Sequence, residues 1–160
     1  MKKVLIVYYS RTGNTEKAAL ELARDLNADL EQLVDCENRN GPWGYIKSGK
    51  HASNKKLTVI EQPKYDPSCY EVIVLATPTW MMNITPALRT YIHYNTSRMK
   101  KVVFLVTHGG AWNGKIFEEM RDAVGKLPVA VLEVAGREFK ENTWQSKLKE
   151  ITAKVRLILS

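Results

Sequence analysis

Cysteine is scarce in this sequence. Cys36 and Cys69 share no CxxC spacing and no nearby histidine cluster. Structural zinc and a disulfide scaffold are therefore not expected, and the two read as free thiols in a reducing compartment. Long apolar runs are also missing, so no segment reaches the roughly 20 residues that span a bilayer. Met1-Lys2-Lys3 followed by Val4-Leu5-Ile6-Val7 has the basic and apolar parts of a secretion signal. The apolar run is too short for one, and it leads into Ser10-Arg11-Thr12-Gly13 with no small-residue cleavage site. A buried strand in a cytoplasmic protein is the expectation. Internal repeats, low-complexity segments and linkers are absent, so residues 1–160 read as one domain. The net charge is +7 and the pI about 9.4. Yet no basic run is interleaved with aromatics, as a single-strand binder needs. Lys47, Lys50, Lys55 and Lys56, then Arg98, Lys100 and Lys101, are the densest groups, and they read as a solvated basic surface. Neither nucleic acid nor membrane is an expected partner.

What is present is a core-forming pattern, with 44% of residues hydrophobic. Val4 to Tyr9, Val72 to Ala76 and Val102 to Val106 are continuous β-branched, aliphatic and aromatic runs. Such runs suit strands covered on both faces, as in a parallel sheet. Leu30 to Val34 and Val129 to Val134 complete a set of about five. Leu57 to Glu61 reads as a further strand-like piece at the sheet margin. Between the strands, Ala18, Ala19, Leu22, Ala23 and Leu26 recur at helical spacing over Asn14 to Leu26, with Asn27 as the helix end. Thr85 and Pro86 read as an N-cap and first helical residue. Helices are also predicted over Ile116 to Val124 and Trp144 to Leu159. Glu37 to Lys56, with Gly41, Pro42, Gly44 and Gly49, reads as a long excursion holding one short helix near Tyr45 to Ala52. Alternating strands and helices with right-handed crossovers make a doubly wound α/β sandwich.

In such sheets ligands bind at the carboxyl ends of the strands, where strand order reverses. Three loops are then expected to converge: Ser10 to Thr15, Thr77 to Asn83, and Thr107 to Gly114. In the first, Ser10, Thr12 and Thr15 offer hydroxyls, Asn14 an amide and Gly13 a pliable backbone. The following helix aims its unpaired N–H groups and positive dipole end at the loop. That composition holds a phosphate with neutral donors. It lacks the GK[ST] of a Walker loop and the spaced glycines of a dinucleotide fingerprint. No Asp ends the Ile73 to Ala76 strand, which disfavours a phospho-acceptor receiver. No Cys opens the loop, which disfavours a cysteine phosphatase.

Ser10-Arg11-Thr12-Gly13-Asn14-Thr15 resembles the FMN phosphate loop of flavodoxin and its relatives, roughly [ST]-x-[ST]-G-x-T after the first strand. Thr77-Pro78-Thr79-Trp80 and Thr107-His108-Gly109-Gly110 resemble the second and third flavin loops of the same family, in the same order. The likeness runs over nearly the whole chain and is to the short-chain type. It implies a three-layer sandwich around a five-stranded parallel sheet in the order 2-1-3-4-5, with FMN as cofactor. By the same resemblance, Ser10, Thr12, Gly13, Asn14 and Thr15 hold the FMN phosphate, with Arg11 in the same loop. Thr77, Pro78, Thr79 and Trp80 line the isoalloxazine. Thr107, Gly109 and Gly110 approach the pyrimidine end by backbone, beside His108. Trp80 can stack on the ring and exclude water. His108 could serve a proton, but a histidine beside two glycines is more often a loop residue. Trp112 is a weaker candidate for the site. Trp43 and Tyr45 read as packing residues, and His51 and His93 have no partner nearby in sequence. No catalytic side chain and no metal ligand is assigned, because FMN carries its own chemistry.

Two departures from the family stand out. Flavodoxins often place a glycine just past the second-loop aromatic, where a backbone flip stabilises the one-electron-reduced ring. Here the residues are Met81-Met82-Asn83-Ile84, and Asn83 tolerates positive φ better than Met. Electron-carrier flavodoxins are usually acidic, whereas this chain is basic. An acidic partner or an anionic substrate such as NADPH would suit it, with Lys47, Lys50 and Lys115 as contributors. The expected function is electron transfer on bound FMN, either as a shuttle between redox partner proteins or as an NAD(P)H-dependent reductase of quinones or other small acceptors. The alternative is a flavin-free module on the same fold that binds protein or nucleic acid.

Overall fold

The structure is a computed structural model that describes residues 3–37, 56–110 and 114–160. Five strands form one sheet: β1 (Val4–Tyr8), β2 (Asp29–Gln32), β3 (Val72–Pro78), β4 (Lys101–His108) and β5 (Ala130–Ala135). Their order is β2-β1-β3-β4-β5, and every pairing is parallel. The described α-helices are α1 (Asn14–Leu26), α2 (Pro86–Asn95), α3 (Lys115–Val124), α4 (Gly136–Glu141) and α5 (Trp144–Leu159). The strand order reverses between β1 and β3, so the chain leaves their carboxyl ends toward helices on opposite faces of the sheet.

Strand periodicity divides the core into two layers. Leu5, Val7, Ile73, Leu75, Phe104 and Val106 face α2 and α3. Val4, Ile6, Val72, Val74, Val103 and Leu105 face α1 and α5. All twelve are essentially buried, which is why β1, β3 and β4 read as unbroken apolar runs and not as alternation. β5 is an edge strand and shows the alternation instead, with Val131 46% exposed beside buried Ala130 and Leu132. α1 stops at Asn27, which adopts the left-handed conformation at φ 48°, a position Asn tolerates better than most residues.

Several boundaries differ from the sequence reading. β3 and β4 each extend two residues further at the carboxyl end, to Pro78 and His108, carrying the second and third loops outward. β2 ends at Gln32, not Val34. The Leu57 to Glu61 piece is not a sheet strand. It makes an isolated antiparallel bridge, Asp35 with Ile60, and the backbone of Thr58 is held instead by the Thr90 hydroxyl of α2. Thr85 is the N-cap of α2 and Pro86 its first residue, as expected, but the Thr85 side chain makes no capping hydrogen bond. The Thr85 hydroxyl turns inward to share a 3.0 Å hydrogen bond with Thr77. α4 was not foreseen, since six residues are too few to show a helical period. The predicted helix near Tyr45 to Ala52 lies outside the described residues, as do Trp43, Lys47, Lys50, His51, Lys55 and Trp112.

Candidate cofactor site

The first loop leaves the carboxyl end of β1 and enters α1 at once. Gly13 sits at φ +92° with nothing within 4 Å of where a Cβ would stand, so the constraint there is conformational and not one of space. Its N–H donates to Ser10 Oγ at 3.2 Å, which closes the loop on itself. Its carbonyl accepts from Lys17 N at 2.9 Å, the first helical bond of α1. The amides at the start of this 13-residue helix lack intrahelical acceptors and face the loop. Thr12 is exposed, and Ser10 and Asn14 are partly exposed. The donor set is thus neutral side chains plus helix-terminal amides, which is chemistry for a phosphate dianion.

Thr15 is placed differently. It is buried, and its hydroxyl shares a 2.8 Å hydrogen bond with the Thr107 hydroxyl at the end of β4. Thr79 N donates to Thr107 O at 2.9 Å. The three loops are therefore joined through Thr107. The second link is aromatic: Trp80 meets Tyr9 edge to face, with ring centroids 5.3 Å apart. The Arg11 guanidinium lies 6.0 Å from the Trp80 ring centroid, within cation–π range. Thr77 is fully buried and donates to Pro78 O at 2.9 Å, so its side chain supports the loop from beneath.

Past Trp80 the chain turns sharply. Trp80 and Asn83 exchange both backbone hydrogen bonds, at 3.1 and 3.0 Å. Met81 and Met82 occupy φ +48° and +60°, the φ signature of a type I′ turn, which usually takes Asn or Gly there. Positive φ thus falls on the two methionines and not on Asn83. Asn83 instead donates from Nδ2 to Met81 O at 2.7 Å. Each methionine carries on the order of 1 kcal/mol of left-handed strain. We expect Met82→Gly to stabilise the protein by about 0.5–1 kcal/mol, since glycine's own entropy offsets part of the relief. A rise of about 1–3 °C in Tm by calorimetry checks this.

A flavodoxin family model matches residues 3–153. The chain belongs to the flavodoxin family. No curated protein matches the sequence. Among solved structures, a Lactobacillus acidophilus flavoprotein in complex with FMN is 18% identical, with a TM-score of 0.73, covering 91% of this chain and 99% of that one. A Bacteroides eggerthii structure described as a flavoprotein is 23% identical, with a TM-score of 0.71, covering 84% and 87%. The two-electron reduced flavodoxin of Megasphaera elsdenii is 16% identical, with a TM-score of 0.57, covering 94% and 98%. At these identities the likeness is one of fold.

Within this flavodoxin-family site, His108 is the last residue of β4 and is buried. Its Nε2 lies 2.7 Å from Glu133 Oε2 on β5. Lys147 of α5 donates to Glu133 Oε1 at 2.7 Å and to Glu138 at 2.9 Å. Gly109 and Gly110 are exposed and have open space at their Cβ positions. A Cβ on Gly136 would stand 3.4 Å from His108 O, so the start of α4 packs closely behind the third loop. His93 is exposed on α2, edge-on to Tyr94, and Lys115 is the exposed first residue of α3.

Burial works to raise the Glu133 carboxyl, but hydrogen bonds from Lys147 and His108 overcome it and hold it below its ordinary value of 4.5. Glu138 is lowered in the same way by Lys147 and the Ala135 amide, again against burial. A depressed carboxyl stabilises the fold above its unfolded value, and that stability is lost as pH falls through the folded value. Stability is therefore expected to decline on acidification below about pH 4.5. Glu133→Gln flattens that decline in urea titrations at several pH values. An unchanged acid slope would count against the network.

Sequence reasoning missed Glu133, Lys147 and Tyr9 as neighbours of the site. Glu133 and Lys147 stand 14 residues apart on different elements, a spacing that carries no motif.

Proposed function

We propose that this protein binds FMN at the three joined loops and carries electrons on it. The observation that supports this best is the Thr15–Thr107–Thr79 linkage. It sets a phosphate-type loop beside an aromatic wall at the point where strand order reverses. Ser10, Thr12 and Asn14, with the amides opening α1, hold the phosphate. Trp80 covers one face of the ring and keeps water from it. Thr107, Gly109 and Gly110 offer backbone groups at the pyrimidine end, where Gly109 and Gly110 leave room for close approach. Bound FMN would supply one- and two-electron transfer, and the chain supplies position and electrostatics. Titrating flavin-stripped protein with FMN, with riboflavin as control, tests the reading. Saturable FMN binding that riboflavin matches only weakly is the expected result. No saturable binding of FMN would overturn it, and the flavin-free binding module would then take its place.

The finer reading is an NAD(P)H-dependent reductase of quinones or other small acceptors. The net charge of +7 supports it, because nucleotide phosphates are anionic. Anaerobic mixing of the FMN-loaded protein with NADPH is expected to bleach the oxidised flavin absorbance within minutes. No bleaching with NADPH or NADH leaves the shuttle between redox proteins as the function.

A further inference from the structure

The Trp80–Asn83 turn is strained, and strained backbone persists only where its surroundings hold it. Its two ends are fixed in different ways. On the entry side, Thr79 N, one residue past β3, donates to Thr107 O near the end of β4. On the exit side, Ile84 N donates to Glu119 Oε2 at 3.0 Å, and Glu119 belongs to α3, an element outside the loop. The other carboxylate oxygen, Oε1, pairs with Arg89 of α2. Both side chains of the pair are about nine-tenths buried, with 11% and 10% exposure. Arg89 Nε has no hydrogen-bond partner among the described residues.

A buried pair with an unsatisfied donor is a weak source of stability, because desolvation offsets much of its Coulombic attraction. Its distinctive property is direction. It ties the tops of α2 and α3 together and presents one fixed acceptor to the backbone directly after the turn. We propose that Glu119 is a positioning residue for the cofactor site, holding the Met81–Met82 turn closed and so fixing Trp80 against the flavin ring. Arg89 acts through Glu119 by setting its rotamer. The proposal rests on the FMN reading for its functional half. Its structural half, that Glu119 holds the turn, stands without a ligand.

The test compares two double variants that differ chiefly in one acceptor. Arg89→Met with Glu119→Gln removes both charges and keeps an oxygen for Ile84 N. Arg89→Met with Glu119→Leu removes the charges and the acceptor together. Both have uncharged, comparably sized side chains in place of the pair, the kind of exchange buried ion pairs tolerate. In flavin-free protein, amide exchange followed by NMR is expected to show Ile84 and Asn83 protected in the Gln variant and at least about tenfold less protected in the Leu variant. With flavin, the Leu variant is expected to bind both FMN and riboflavin about fivefold more weakly, an effect of roughly 1 kcal/mol. Fluorescence quenching of its bound flavin should also fall. The Gln variant should stay within about twofold of the parent. An effect on the ring side moves both ligands equally, so a loss confined to FMN would overturn the proposal. Equal exchange rates in the two variants would overturn it as well. If the parent itself binds no FMN, the cofactor reading and the functional half fall together, while the exchange rates still decide whether Glu119 holds the turn.

Discussion

Replacing Ser10 and Thr12 together by alanine is expected to weaken FMN binding by about a hundredfold and to leave riboflavin binding within about twofold of the parent. Hydrogen bonds to a charged group are each worth roughly 1.5–3 kcal/mol, so two of them span that loss even when they are not additive. Ser10 Oγ accepts from Gly13 N, which leaves its own O–H to donate to a phosphate oxygen. Thr12 is exposed at the loop mouth and can do the same. Neither substitution creates a buried unpaired group. Gly13 N, on losing Ser10 Oγ, can be met by water at a partly exposed position. Folding stability should therefore change by less than about 1 kcal/mol. The discriminating quantity is the ratio of the two affinities, read from parallel fluorescence titrations. A similar loss for both ligands would mean that the loop shapes the ring site and does not grip a phosphate.

Arg89→Met alone is expected to destabilise the protein by about 3–5 kcal/mol, because it strands the Glu119 carboxylate without its cation in a nearly dry site. Ile84 N remains a donor to that carboxylate, but one amide does not replace a guanidinium. Adding Glu119→Leu should recover most of the loss, since the pair then becomes an apolar contact between α2 and α3. That contact extends the layer already formed by Leu88, Ile116 and Met120. Urea denaturation of parent, single and double variants completes the comparison. A single variant as stable as the parent would show that water reaches the pair. A double variant no better than the single would show that packing, not charge, sets the cost.

How much of this was legible beforehand varied with the kind of signal. The strands β1, β3 and β4 announce themselves because both faces are buried along their central stretches, which are apolar throughout. β2 and β5, at the edges, carry mixed sequences, and their limits shifted by one or two residues. The proposed phosphate loop is legible as a motif because its candidate donors, Ser10, Thr12, Gly13 and Asn14, are contiguous along the chain. The sequence offers Thr15 for its hydroxyl and Thr107 for its backbone, and gives no sign that the two hydroxyls meet. By intrinsic preference Asn83 tolerates positive φ better than its methionine neighbours, but the turn places it on Met81 and Met82. His108 looked like a loop residue from its glycine neighbours. It is instead a buried strand end paired with Glu133, a contact made across two strands whose register no local pattern reports.

The sequence by itself determined the layer architecture, the strand that opens it and the loop that follows. Hydrophobic period and short-range backbone chemistry act between residues near one another along the chain. Only the tertiary structure decided which loops join, where backbone strain sits and which charges meet. Thr15 and Thr107 lie 92 residues apart, and Ile84 and Glu119 lie 35 apart. Such pairs are selected by helix packing and strand order, and their energies exist only once the sheet has brought them within a few ångströms.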